Sequence, residues 1–387
     1  MFTEKCPIEN QKKLVLAFDA KRLFNNFTGL GNYSRTLVRN LQKFYPEHEY
    51  HLFTPTIKTN EETAYFLNNP NFIIHTPPRF TPLWRSYLIS KEINQLMPDI
   101  YHGLSHEIPY NLHKKIIRVV TFHDLIFEKF PSQFNWIDLK IYRFKYRSSA
   151  HRADQIIAIS ESTKNDLSKL YNVSDKKISV LYQSCNDVFQ NQVPNPEMLP
   201  ESLKGIPPYY LYVGSLIERK GLIQIVIAYS KIPEESKKPF VIVGTGNKNY
   251  CKKIDDLIRY YNLENNFHFI KNIPNQALVS IYDHCFALIY PSVYEGFGIP
   301  IIECLFRNKP VITSETSSMP EAGGPGALLI NPYEPEDIKN SMLRLQNLKL
   351  YKDLSEKGKE YVGCNFLTEV TATATMNYYT KILSFIK

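Results

Sequence analysis

From Leu14 onward, short runs of β-branched and aromatic residues alternate with longer stretches of helical periodicity, and this rhythm limits the fold more than any other feature. Strands are predicted at Leu14–Phe18, Tyr50–Phe53, Phe72–His75, Ile100–His102, Ile116–Thr121, Gln155–Ile159 and Ile178–Leu181. Ser160-Glu-Ser-Thr163 reads as a cap before a helix running to about Leu170. Between Asn186 and Pro208 the rhythm fails, and this segment, with its five prolines, reads as an inter-domain linker. It restarts at Tyr209–Val213 and continues through Phe240–Val243, Phe267–Ile270, Phe286–Tyr290, Pro310–Thr313 and Ala327–Ile330. Three helical stretches close the chain, near Pro335–Leu345, Tyr351–Cys364 and Thr368–Ile386. Strand–helix alternation of this kind gives parallel sheets wrapped by helices. Two successive α/β domains are the simplest account.

The 387 residues suffice for two such domains, each large enough to bury its own core. None of the six cysteines is spaced as C-x-x-C, and a chain this size needs no disulfide framework, so a reducing, cytoplasmic setting is expected. The N-terminus lacks the apolar core of a signal peptide, and no apolar run is long enough to span a membrane. A net charge of +8 permits anionic partners without demanding them. The basic, aromatic stretch Lys140-Ile-Tyr-Arg-Phe-Lys-Tyr-Arg147 reads as a helix with a solvated basic face. The alternative is peripheral contact with an anionic membrane on its inner face. Nucleic acid is not expected as a partner, because no recognition motif accompanies the charge.

Ligands of open parallel sheets bind beyond the carboxyl ends of strands, where helix starts and loop amides converge. Three loops of the second domain carry suitable residues. The first, Gly214-Ser-Leu-Ile-Glu-Arg-Lys-Gly221, sets Arg219 and Lys220 side by side before a helix, a good seat for a diphosphate. The bland alternative is a basic loop facing water. The second, Pro291-Ser-Val-Tyr-Glu-Gly-Phe-Gly-Ile-Pro-Ile-Ile-Glu303, puts Glu295 on the loop and Glu303 on the second turn of a helix starting near Gly298. Gly296 and Gly298 would let backbone approach a ligand, with the amides of residues 297–299 as donors. Glu303 could accept from a ribose diol at about 1.5–3 kcal/mol per hydrogen bond. Alternatively it pairs with Arg307 on an exposed face. The third loop, Thr313–Gly326, is rich in small residues, and suits either closure over a sugar or phosphate or an ordinary surface turn.

With these residues in view, the chain resembles the retaining glycosyltransferases of family 4. Residues 295–303 match the signature E-x7-E in its form E-G-F-G-x-P-x-x-E. Tyr212-Val-Gly-Ser-Leu-Ile-Glu-Arg-Lys-Gly221, Ser317-Ser-Met-Pro-Glu321 and Leu328-Leu-Ile-Asn-Pro332 are similar to that family too. In the first half Thr28-Gly-Leu-Gly-Asn-Tyr-Ser34 resembles the loop T-G-I-G-R-Y, and Phe122-His-Asp124 and Arg152-Ala-Asp-Gln-Ile-Ile-Ala-Ile-Ser-Glu161 match in order.

The resemblance implies a GT-B fold, two Rossmann-like parallel-sheet domains facing a central cleft. An acceptor-binding domain would occupy residues 1–190, with the linker at about 186–208, and a nucleotide-sugar-binding domain residues 205–367. The helix of residues 368–387 would cross back to the first domain. Arg219 and Lys220 would bind the diphosphate, beside Gly214, and Glu303 the ribose. Glu295, Gly296 and the amides of Phe297, Gly298 and Ile299 would hold the transferred sugar and phosphate. Gly29 and Gly31 would approach the donor from the first domain, and His123 would lie beside the sugar, its tautomer fixed by Asp124 unless that residue caps the next turn. Asn32 stands where the family carries a basic residue, so the positive charge for a phosphate contact is missing at that position.

The chain contains no D-x-D pair, so no metal and no separate cofactor are expected, and Arg219, Lys220 and helix-start amides would carry the leaving-group charge. Catalytic roles fall to His123, Glu295, Arg219 and Lys220. The T-G-x-G-x-Y loop favours mannose from GDP-mannose, with UDP-sugars as the alternative, and a glycan or lipid-linked oligosaccharide as acceptor. A nucleotide-sugar epimerase of the same fold and a non-catalytic transferase-like subunit are the competing readings.

Overall fold

The computed structural model describes residues 12–78 and 83–386. Among the described residues thirteen strands form two sheets, with every strand pairing parallel. The first half supplies β1 (Val15–Asp19), β2 (Glu49–Phe53), β3 (Phe72–His75), β4 (Ile100–Gly103), β5 (Ile117–Phe122), β6 (Gln155–Ala158) and β7 (Ile178–Val180). The second supplies β8 (Tyr209–Val213), β9 (Phe240–Val243), β10 (Phe267–Ile270), β11 (Cys285–Tyr290), β12 (Val311–Ser314) and β13 (Ala327–Ile330).

The sheet orders are β3-β2-β1-β4-β5-β6-β7 and β10-β9-β8-β11-β12-β13. Each chain path runs outward from a central strand, returns, and runs out the other way. The reversal falls between β1 and β4 in the first sheet and between β8 and β11 in the second. Beyond the carboxyl ends of such a pair, the connecting loops diverge to opposite faces and leave a crevice.

The central strands are apolar on both faces, as a helix-covered parallel sheet requires. All five residues of β8 are buried, three of them tyrosines. Their hydroxyls are satisfied: Tyr209 donates to the Ile281 carbonyl (2.8 Å), Tyr210 to that of Met342 (3.0 Å) and Tyr212 to that of Ser215 (3.0 Å). Each ring thus contributes burial, about 1.5–3 kcal/mol for a large apolar side chain, without stranding a polar group.

The segment read as a linker is ordered against the second half. It contains a short helix, Val188–Asn191, and tight turns at Pro196–Met198 and Glu201–Leu203. Ser280 donates to the Asn195 carbonyl (2.8 Å) and Arg307 to that of Gln192 (2.9 Å).

The helix Leu348–Asn365 lies along the second sheet's layer against the helix Ile299–Phe306, whereas Thr368–Ile386 lies against Gly29–Phe44 of the first half. Tyr45 donates to Thr373 (3.0 Å). A buried chain of hydrogen bonds runs from Tyr379 to His102 Nδ1 (2.5 Å), from His102 Nε2 to Thr121 (2.7 Å), and from Thr121 to Tyr33 (3.0 Å).

Candidate functional site

The loops after β8 and β11, the two strands that flank the second sheet's reversal, carry Arg219, Lys220 and Glu295. The turn Glu218–Lys220 presents both cations, and Gly214 lies beside the Lys220 ammonium. One carboxylate oxygen, Glu295 Oε1, gathers four donors. They are Arg219 Nη1 (2.9 Å), Lys220 Nζ (3.1 Å), the Ser292 hydroxyl (2.9 Å) and the Tyr290 hydroxyl (3.1 Å). Arg219 also donates to the Tyr294 carbonyl. Burial works to raise the Glu295 pKa, but Lys220 and Arg219 outweigh it and hold the carboxyl below its ordinary value. The cation pair is therefore partly balanced by one carboxylate within the protein, so the loop is not a basic turn facing water.

Glu303 projects from the second turn of the helix Ile299–Phe306, which starts at Gly298 with φ of 116°. Only glycine adopts that backbone without strain. Arg307 does not pair with Glu303; it forms a two-pronged bridge to Asp283 (2.6 and 2.8 Å). Glu303 instead accepts from the Tyr282 hydroxyl (2.9 Å) and is buried. Burial pushes its pKa up to about 7, with the Tyr282 hydrogen bond pulling the other way. Glu303 and Ile299 line a cavity of 60 Å³ together with Gly29, Asn32 and Tyr33 of the first half. Phe297 is turned into the core, its ring against Tyr182 (5.7 Å) and Phe366 (5.4 Å).

Two of the glycines are points of close contact within the protein. A side chain at Gly296 would meet the His123 carbonyl at 2.2 Å, so this glycine lets the second half's loop touch the first half directly. Gly31 lies in the first turn of the helix Gly29–Phe44, hard against Asn26, and its amide donates to Asn26 Oδ1 (3.0 Å). Asn32 accepts from Arg35 (2.5 Å).

His123 follows β5 and is buried. Its Nε2–H donates to the Leu104 carbonyl (2.9 Å), and that bond, not Asp124, fixes the tautomer. Asp124 caps the next turn, accepting from the Ile126 amide (3.0 Å), and burial pushes its pKa up to about 6. Burial pulls His123 down to about 4, so its ring is neutral at ordinary pH. Tyr33 meets that ring edge-on at 4.6 Å, and the chain through Thr121, His102 and Tyr379 fixes Tyr33 in turn. The last helix thus helps to orient His123.

The third loop is packed against the second rather than lying free on the surface. It braces the second: Ser317 and Ser318 donate to the Glu295 carbonyl (2.8 and 2.9 Å) and Thr316 to that of Val293 (2.9 Å). Its Glu321 reaches across to the first half, accepting from the amides of Glu161 (2.7 Å) and Ser162 (3.1 Å) at the start of the helix Glu161–Tyr171. Tyr294 makes a second crossing, donating to Asp166 (2.6 Å).

Between the halves lies a cavity of about 890 Å³. Arg219 and Glu218 line it from the second half, and Arg22, His106, Asp124 and an aromatic wall including Tyr142 and Tyr146 from the first. Sequence reasoning missed Arg22 and His106. The His106 ring accepts from the His123 amide (3.0 Å), and its backbone is left-handed (φ 61°), strain of a kind that collects at functional sites.

Comparison with known proteins adds independent findings. A family model of glycosyl transferases group 1 matches residues 197–361, and one of glycosyltransferase family 4 matches residues 27–186. O-antigen chain mannosyltransferase RfbU of Salmonella typhimurium is 29% identical over 248 residues, covering 64% of this chain and 65% of its own length. O-antigen chain mannosyltransferase B of Escherichia coli is 24% identical over 284 residues, covering 72% and 74% respectively. In fold, the chain is similar to Anabaena HepE, crystallised with UDP and glucose, with a TM-score of 0.72 at 14% identity over 95% of this chain and all of that one (100%).

Proposed function

The chain belongs to the GT-B glycosyltransferases, its halves matching the family 4 and group 1 models, and from that membership we propose that it is a mannosyltransferase of cell-surface polysaccharide synthesis. The donor in this reading is GDP-mannose, supported by relatives named as O-antigen mannosyltransferases, and the acceptor is a glycan or lipid-linked oligosaccharide. A UDP-sugar is the alternative donor.

One observation carries the proposal. Arg219 and Lys220 converge on a single carboxylate oxygen at the second sheet's reversal, and Arg219 opens onto the large cavity between the halves. A nucleoside diphosphate entering there exchanges the internal Glu295 contact for its own oxygens. As the anomeric C–O bond breaks, its electron pair leaves with the diphosphate, and the two cations stabilise the charge that develops. The acceptor oxygen bonds to the anomeric carbon on the same face, and its proton passes to the departing phosphate oxygen, so configuration is retained. Glu303 accepts from the ribose, and neutral His123 borders the sugar. With two cations and no D-x-D pair, the reaction is proposed to run without metal.

The helix Trp136–Arg152 supports a membrane-facing role for the first half. Its inward side gives Tyr142 and Tyr146 to the cavity, while Trp136, Ile137, Ile141 and Phe144 stand exposed among Lys140, Arg143 and Arg147. Bulky apolar groups beside cations suit the interface of an anionic bilayer. No helix of the described residues is long and apolar enough to cross a membrane.

The test is transfer from labelled GDP-mannose and UDP-hexoses to a lipid-linked glycan fraction, with and without EDTA. The proposal expects acceptor-dependent transfer that survives the chelator. Donor turnover without acceptor, or activity abolished by EDTA, contradicts it.

A further inference from the structure

We propose that Arg22 is a phosphate-binding residue of the cleft, gripping from the first half an oxyanion that enters the large cavity opposite Arg219. The inference rests on the nucleotide-sugar reading above and extends it to a residue outside every motif of the second half.

Arg22 lies on the short helix Lys21–Asn25, just beyond the carboxyl end of β1 and therefore beside the reversal of the first sheet. It lines the cavity with Arg219, so each half contributes an arginine to the same space. Asp124, on the same wall, caps the Ile126 amide (3.0 Å) and forms no ion pair among the described residues, and the other nearby acids are paired with other cations. Asp19 is held by Arg85 (Nε to Oδ2, 2.9 Å), and Glu107 by Arg85 (2.7 Å) and Lys145 (3.2 Å). Glu218, on the opposite wall, pairs with Lys253 (3.2 Å). Among the described residues no carboxylate forms an ion pair with Arg22, and its buried Nε has no hydrogen-bond partner. By contrast Arg219, across the cavity, already has Glu295.

A partly buried guanidinium with an unsatisfied N–H costs stability unless a ligand completes it. Its planar fork is shaped for two oxygens of one phosphate. The same chemistry has two sources in this reading, the diphosphate of the nucleotide and the diphosphate of a lipid-linked acceptor.

Calorimetry on the whole chain separates them, with GDP and UDP as one set of probes and farnesyl diphosphate, against farnesol, as the other. Arg22→Gln is expected to weaken one set on the order of tenfold or more. Arg22→Met, which keeps the apolar stem, guards against a folding defect in the glutamine variant. Loss confined to GDP or UDP assigns the residue to the donor, and loss confined to farnesyl diphosphate assigns it to the acceptor. Unchanged affinity for all probes in folded variants overturns the inference while leaving the donor reading intact. A parent chain that binds neither nucleotide defeats the donor reading, and Arg22 then stands only if farnesyl diphosphate binds and the variants lose it.

Discussion

Replacing Glu295 with glutamine tests the electrostatics of the site most sharply. Glu295 Oε1 is the shared acceptor of Arg219, Lys220, Ser292 and Tyr290, all within 2.9–3.1 Å. Glu295→Gln keeps an oxygen for these donors but removes the carboxylate charge that pairs with both cations. Breaking a buried ion pair from one side costs about 3–5 kcal/mol, and the retained amide oxygen places this case near about 3 kcal/mol. For a folding unit of about 150–250 residues that corresponds to a fall in Tm of about 6–12 °C. A nucleoside diphosphate restores the missing negative charge, so saturating GDP or UDP should raise the variant's Tm by more than it raises the parent's. Differential scanning fluorimetry with and without nucleotide reads both quantities. A variant melting within about 2 °C of the parent, with equal nucleotide shifts, would show that Glu295 does not balance the two cations.

Other outcomes follow from the same geometry. Glu303 has its pKa raised to about 7 by burial, so ionising it costs fold stability as pH climbs from the ordinary carboxylate range to about 7. Glu303→Gln should therefore lose less stability than the parent between about pH 5 and pH 8, while the parent's nucleotide affinity rises over that window and the variant's stays flat. Denaturant melts and calorimetry across pH check the two halves of that expectation. His123→Ala should lower turnover by about tenfold or more while donor affinity holds, and the opposite split makes His123 a binding residue. Trp136→Ser with Phe144→Ser should reduce sedimentation with phosphatidylglycerol vesicles, and Lys140→Glu should reduce it further by about 1 kcal/mol, against little binding to phosphatidylcholine. Equal retention by both vesicle types contradicts the docking face.

The strands were legible because short β-branched and aromatic runs alternate with helical stretches, and β3, β8, β9, β10 and β13 fall on the expected residues. The helix start at Gly298 was legible from Gly298 and Pro300, whose backbone preferences act locally. Arg219, Lys220 and Glu295 were readable as candidates, but their convergence on one oxygen was not, since it depends on two loops some seventy residues apart in sequence (73 between Arg219 and Ser292). Residues 186–208 were legible as a break in the strand–helix rhythm, but their packing was not, because their prolines start short turns that settle against the second half. Gly31 and Gly296 were legible as points of close approach, but the protein groups that approach them were not. A glycine records that something approaches closely, and here Asn26 and the His123 carbonyl do so. Glu321 and Tyr294 bridge the halves through partners that no local pattern announces.

In the proposed reaction, Arg219 and Lys220 seat a diphosphate in exchange for Glu295. A crystal structure of the chain soaked with GDP, and in parallel with UDP, addresses it directly. The expected result places diphosphate oxygens at about 3 Å from both cations, with Glu295 Oε1 released from at least one. A nucleotide lodged elsewhere, with the Glu295 contacts to Arg219 and Lys220 intact, would contradict it.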